Sequence, residues 1–164
     1  MKVLPREELI YLAGFIDGDG AIMAQIVRRR DYTFQFQLKL SVQLTQKTSR
    51  IHFLQNIKES LGVGYVRRRG EISQVSDYVV TEPQNVYSLL KAVQPFLKLK
   101  KKQANLVMHI IELLPRSKDS LPKFYELCVK ADHVAELNDS KSRTVTSEAV
   151  KAMHGDKVNP LSPP

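Results

Sequence analysis

The clearest pattern in the chain is an alternation: Phe34, Phe36, Leu38, Leu40, Val42 and Leu44 are interleaved with Gln35, Gln37, Lys39, Ser41, Gln43 and Thr45. Successive strand side chains point to opposite faces, so the pattern predicts one long strand, about 40 Å end to end, with an apolar face and a polar one. Ala21 to Arg30 predicts its partner, with Ile22, Ala24 and Ile26 on one side and Met23, Gln25, Val27 and Arg29 on the other, turning at Asp31-Tyr32. A second hairpin is expected from Val63 to Arg69 and Gln74 to Glu82 around Gly70-Glu71; Tyr65, Arg67 and Arg69 share a face of its first strand, and Val75, Asp77 and Val79 share a face of its second. Helical spacing marks Leu9, Leu12, Ala13 and Ile16 behind Pro5, then Ile51, Leu54, Ile57 and Leu61 behind a capping Thr48. Further helices carry Val86, Leu89, Leu90 and Val93; Leu106, Val107, Ile110 and Ile111; and, after Ser120, Phe124, Leu127, Cys128 and Ala131. Thr146 is placed to cap a last short helix ending near Met153. The expected fold is α+β, in the order αββαββα with a four-stranded antiparallel sheet and extra C-terminal helices. Residues 1–154 would form one domain, and residues 155–164 a flexible tail.

Composition narrows what such a sheet could meet. Of 164 residues, 25 are Lys or Arg and 17 Asp or Glu, a surplus of +8 that points to a polyanionic partner. The polar face of the long strand carries amides, hydroxyls and a lysine, and no acid occurs from Thr33 to Arg50. Glutamine, lysine and Ser/Thr are the side chains that pair with base edges, and a β-ribbon fits the major groove, although a solvated sheet face would read similarly. The single Cys128 excludes an intramolecular disulfide and a multi-cysteine zinc site. No run approaches the roughly 18 apolar residues of a membrane span and the N-terminus has no apolar signal core, so a soluble protein with no membrane partner is expected.

Chemistry concentrates in Leu12-Ala13-Gly14-Phe15-Ile16-Asp17-Gly18-Asp19-Gly20. Tyr11, Gly14, Phe15 and Gly18 form one helical stripe, and each glycine there costs about 0.8–1 kcal/mol of helix stability, which suggests that a second backbone approaches closely. Asp17 and Asp19 sit at the negative end of the helix, where a cation is the favoured neighbour. Their hard oxygens suit Mg²⁺ or Ca²⁺; an Asp-Gly-Asp-Gly turn with self-bonded aspartates is the plainer reading.

These nine residues resemble the signature of LAGLIDADG homing endonucleases, departing from it only at Phe15 and Gly18. The likeness to its single-motif, homodimeric, intron-encoded members runs from Glu8 to about Met153, through Gln43-Leu44-Thr45-Gln46-Lys47-Thr48, Gly62-Val63-Gly64-Tyr65-Val66-Arg67, Phe96-Leu97-Lys98-Leu99-Lys100 and Leu137-Asn138-Asp139-Ser140-Lys141. By that resemblance Asp19 is a metal ligand assisted by the Gly18 carbonyl, and Gln46, Arg50 and Lys100 complete a catalytic pocket for water and phosphate. Asp17 has no assigned role. DNA-binding positions would be Gln25, Val27, Arg29, Tyr32, Gln37, Lys39, Gln43, Arg67, Arg69, Asp77 and Val79, with Lys141 and Ser142 on phosphates. Tyr11, Gly14, Phe15 and Gly18 would form the dimer interface, since one signature per chain needs two chains to supply two acids. The implied activity is a Mg²⁺-dependent, staggered double-strand break in a long, near-palindromic DNA, promoting intron homing, with Ca²⁺ supporting binding without cleavage. The family also implies an organelle, chloroplast or mitochondrion. An intron RNA-binding maturase or a cleavage-inactive DNA-binding protein would use the same scaffold.

Overall fold

The computed structural model describes residues 1–70, 74–138, 143 and 145–159. Helix α1 (Arg6–Asp19) leads directly into β1 (Gly20–Arg28), which pairs with β2 (Phe36–Lys47). A 3₁₀ turn at Thr48–Arg50 and α2 (Ile51–Leu61) precede β3 (Tyr65–Arg68) and β4 (Val75–Val80). Helices α3 (Pro83–Val93), α4 (Lys101–Leu113), α5 (Leu121–Glu136) and α6 (Ser147–His154) follow. The sheet is antiparallel in the order β1-β2-β4-β3, so the long alternating strand is central.

The even-numbered residues from Ile22 to Ile26, from Phe36 to Leu44 and at Tyr78 and Val80 are apolar and buried, and they face the helices. Ile22, Ala24, Ile26, Leu38, Leu40, Val42, Leu44, Tyr78 and Val80 are buried in one cluster with Leu12, Ala13 and Ile16 of α1 and the inward stripes of α3, α4 and α5. Cys128 belongs to that cluster, and burial pushes its thiol up to about 12, so it is inert packing. The odd-numbered face is left to its polar residues, which fixes the register because a slip of one residue would exchange the two faces.

Several boundaries differ from the sequence expectation. β1 ends at Arg28 and β2 begins at Phe36, so the connection runs over residues 29–35 rather than a two-residue turn at Asp31-Tyr32. Three backbone bonds close it: Arg29 N–H to Gln35 O, Tyr32 N–H to Arg29 O and Gln35 N–H to Tyr32 O. Gln35 takes φ +58°, which breaks the alternation and leaves Phe34 to pack on Phe124, with ring centroids 5.4 Å apart. The two expected side-chain caps are absent: Thr48 and Thr146 bond no helix N–H with their hydroxyls. Thr48 Oγ1 instead meets Ser76 Oγ at 2.9 Å, and α6 is capped by Asp132 of α5, whose carboxylate accepts the Ser147 N–H at 2.9 Å and Arg143 Nη1 at 2.7 Å. The expected tail also starts later than residue 155, because Gly155–Val158 form a 3₁₀ turn with Val158 buried. His52, His109 and His133 are exposed, as surface histidines would be.

The passage from α1 into β1 depends on Gly20. Its N–H bonds Ile16 O, and a Cβ there would stand 2.7 Å from Ile16 Cα and 2.8 Å from Ile16 O, both backbone atoms unable to withdraw. Gly20→Ala is therefore expected to cost about 1–3 kcal/mol, as other forced overpackings do. Chemical denaturation of the two proteins measures the difference directly.

Candidate active site and nucleic-acid face

Helix α1 ends in Ile16-Asp17-Gly18-Asp19, a last turn with no basic residue of its own. Its free carbonyls and the negative end of its dipole still need positive partners. Lys100 supplies them from the segment before α4: Nζ donates to Ile16 O at 2.9 Å and to Asp17 O at 2.6 Å. The contact is reciprocal, since the Asp17 carboxylate accepts the backbone N–H groups of Lys98 at 2.6 Å and Lys100 at 2.9 Å. Partial burial alone would raise the Asp17 pKa, but the N–H groups of Lys98, Lys100 and Leu99 and the Lys100 charge outweigh it and hold it below the ordinary carboxylate value. Asp17 is thus occupied by its own chain.

Asp19 is exposed. The pairing of Gly20 with Leu44 brings the end of β2 alongside it, and Gln46 Nε2 donates to Asp19 Oδ2 at 2.9 Å. Arg50 Nη1 donates to Gln46 Oε1 at 3.1 Å. Only one amide orientation serves both neighbours, because turning Gln46 over would set its oxygen against a carboxylate and its N–H₂ against a guanidinium. Asp19, Gln46 and Arg50 therefore form one file, with Lys100 joined to the same helix end from the other side. Asp19 and the Gly18 carbonyl are hard oxygen donors of the kind that Mg²⁺ takes in small number, filling its octahedron with water and phosphate oxygens. Among the described residues no group of three or more His, Cys, Asp or Glu could hold a metal, so an enclosed all-protein cage is not what one chain builds. The residues fit a shared, open Mg²⁺ site.

The polar sheet face holds the expected positions with unequal freedom. Gln25 pairs across from Lys39 and Val27 from Gln37; Gln25 and Lys39 are exposed, whereas Val27 and Gln37 are half-buried. Arg29 and Tyr32 lie in the 29–35 connection rather than on a strand. There Arg29 clasps Asp31 through two bonds of 3.1 and 3.0 Å and covers the Tyr32 ring, 5.4 Å from its centre. Asp77 departs furthest from a base-reading role: its side chain is 0% exposed. Arg69 Nε reaches its two oxygens at 3.0 and 2.8 Å, Arg67 stands at 3.5 Å, and Thr45 Oγ1 donates to it at 2.8 Å. Gln43 joins this network by donating to Thr45 Oγ1 at 3.3 Å. Val79, opposite Gln43 and Tyr65, is 3% exposed. In this structure Asp77 and Val79 support the face from beneath, while Arg67 and Arg69 remain half-exposed at its surface. Lys141 and Ser142 lie outside the described residues.

The helix stripe is different again. Tyr11 is 61% exposed, and Phe15 meets Phe53 edge-on at 5.1 Å. A Cβ added at Gly14 or Gly18 would have nothing within 4 Å among the described residues. Nothing among the described residues calls for either glycine.

The sequence model of the family described as LAGLIDADG endonuclease matches residues 12–111. The chain is 53% identical over 148 residues to the DNA endonuclease I-CreI of Chlamydomonas reinhardtii, covering 90% of this chain and 89% of that one. It belongs to the LAGLIDADG endonuclease family. It is also 40% identical over 141 residues to the DNA endonuclease I-CvuI of Chlorella vulgaris, covering 86% of each. A crystal structure of the homing endonuclease I-CvuI with its target and 2 mM Ca superposes with a TM-score of 0.87 at 36% identity, covering 93% of this chain and 95% of that one. Another, with the I-CreI target and 2 mM Mg, gives 0.88 at 35%, covering 95% and 98%.

Within this LAGLIDADG chain, sequence reasoning missed the residues that act on backbone. Asp132 and Arg143 secure α6, Asn138 Nδ2 donates to Ile22 O at 2.7 Å on β1, and Gln103 Nε2 donates to Leu137 O at 3.0 Å. Gln103 and Asp132 are marked in sequence only as polar residues within helices α4 and α5, and Asn138 and Arg143, outside the helices, carry no local signal.

Asp77 also makes a measurable contribution to stability. Its burial alone would raise its pKa, but bonds from Arg69 and Thr45 and the charges of Arg69 and Arg67 keep it below the ordinary value of 3.8. A carboxylate lowered in the folded state adds stability that is complete above its unfolded pKa and lost as pH falls through the folded one. Asp77→Asn is expected to cost about 1–2 kcal/mol at pH 7, with the exposed arginine ends screened, and to flatten the loss of stability below pH 4. Denaturant titrations at pH 7 and pH 3 give both quantities.

Proposed function

We propose that the chain is one half of a homodimeric, site-specific DNA endonuclease that makes a staggered double-strand break in a long, near-palindromic target by Mg²⁺-dependent phosphodiester hydrolysis, promoting homing of the intron that encodes it. The observation that carries the reading is the open glycine stripe on the helix that ends in Asp19. Two glycines that weaken a helix and pack against nothing among the described residues are explained by a second helix against them. A two-fold axis along that stripe brings the two Asp19 ends together and continues the two polar sheet faces into one saddle.

At an effective dielectric near 20, two carboxylates about 4 Å apart repel by about 4 kcal/mol. A divalent cation held by Asp19 and the Gly18 carbonyl would offset this repulsion and, when bound, would supply Lewis-acid stabilisation of the phosphate and a lowered pKa for water. This chain's residues do the rest. Asp19 and the Gly18 carbonyl hold the ion, Gln46 orients water beside Asp19, Arg50 holds Gln46 in register, and Lys100 offers positive charge to the phosphate. Gln25, Lys39, Gln43, Arg67 and Arg69 read bases or their shape, while the net charge of +8 draws the duplex in. Val27, Arg29, Tyr32 and Gln37 border the same face, and Lys141 and Ser142 contact phosphates. No helix among the described residues is long and apolar enough to cross a membrane, and the family likeness supports a chloroplast or mitochondrion as the setting.

The decisive test is incubation with a randomised duplex library and Mg²⁺, read by sequencing the ends produced. Asp19→Asn is expected to lose cleavage of the selected duplex while binding it in Ca²⁺ within a few-fold of the parent; retained cleavage would remove Asp19 from the site. Gly14→Leu is expected to leave the monomer folded, since its side chain enters open space, but to shift the protein from dimer to monomer in sedimentation and to abolish double-strand cleavage.

A further inference from the structure

Asp17 is the one acid of the signature that the reaction scheme does not use, and it stands two residues from the one that it does. Its surroundings are more specific than a turn requires. Asp17 Oδ2 and Oδ1 accept the N–H groups of Lys98 and Lys100, while the Lys100 ammonium returns to the carbonyls of Ile16 and Asp17. The same residue is thus gripped twice, once by backbone and once by side chain. Lys100 also lines an open groove of about 600 Å³ together with Gly20 and Ala21, which directly follow Asp19. Two of its three ammonium hydrogens are committed to carbonyls, which leaves one for an anion on the groove side.

We propose that Asp17 is a positioning residue for cleavage: by fixing the backbone of 98–100 against the end of α1, it holds the Lys100 ammonium at a set place beside Asp19, where a scissile phosphate is received. Lysine is a flexible point charge on a four-carbon stem, and a catalytic cation misplaced by about 1 Å costs on the order of 100-fold in rate. A carboxylate at position 17 removes that freedom by anchoring the stem's own backbone. Asparagine is a poor substitute, because it presents one acceptor where two N–H groups need one each. The inference rests on the endonuclease reading and deepens it.

The test uses the full-length dimer and the duplex selected by wild-type protein. In Asp17→Asn the single-turnover cleavage rate at saturating Mg²⁺ is expected to fall about 10- to 100-fold, while binding of that duplex in Ca²⁺ changes by less than about 3-fold. Acetic anhydride labelling, mapped by mass spectrometry, reads Lys100 itself. In wild type it should react more slowly than the exposed Lys101 and Lys102, and in Asp17→Asn it should rise to their level. Asp17→Glu keeps the charge and both acceptors, so it should recover part of the rate and part of the protection, and it carries the test if the asparagine variant does not fold. Wild-type cleavage by a folded Asp17→Asn protein, unchanged labelling of Lys100, or a loss of DNA binding as large as the loss of rate would each overturn the proposal. A wild-type protein that cuts no duplex in the library would instead overturn the endonuclease reading.

Discussion

The end of α1 is the constraint on which the rest of the site depends. A helix that finishes on two aspartates places carboxylates where its own carbonyls already gather negative charge, and nothing within the helix relieves it. The chain resolves this with a cation from a distant segment. Lys100 takes the carbonyls, the backbone around it takes one carboxylate, and the other stays exposed with Gln46 as its partner. The division of labour between Asp17 and Asp19 follows from this arrangement: one acid ties the helix end to the rest of the fold and the other faces outward. Gly20 then turns the chain sharply into β1, so the free carboxylate emerges beside the polar end of the sheet rather than over the core.

How much of this was legible in the sequence depended on the distance over which each residue acts. Side-chain period alone identified β2 and its buried face, because alternation is a local property. It failed at Phe34, where the period continues but the left-handed backbone of Gln35 has already taken the chain out of the strand. Asp19 was legible through the signature as a whole, and its neighbours Gln46 and Arg50 through matching segments. Asp17 was not, since its partners are N–H groups 81 and 83 residues away, and a backbone N–H leaves no mark in a sequence. Thr48 and Thr146 were read correctly as helix-entry residues, yet the Thr48 hydroxyl meets Ser76 instead of a helix N–H, and the bond expected of Thr146 is made by Asp132.

The sheet face carries a similar lesson about charge. Counting residues suggested a row of arginines offered to a polyanion, with one aspartate among them. In the folded chain that aspartate lies beneath Arg67 and Arg69, bonded by both Arg69 and Thr45, and the arginines are oriented before any ligand arrives. An ordered guanidinium loses less rotational freedom on contact than a free one, so the buried carboxylate lowers the entropic cost of any contact these arginines make.

A single LAGLIDADG signature per chain has a consequence at the scale of the cell. An active centre divided between two copies exists only where two copies meet, so below the dimer dissociation constant its abundance falls as the square of the protein concentration. A chain synthesised at trace levels is therefore nearly inert towards the genome that houses it, and a modest rise in expression switches it on steeply. Assembly from two copies thereby makes the dose of the protein a safeguard against unwanted breaks.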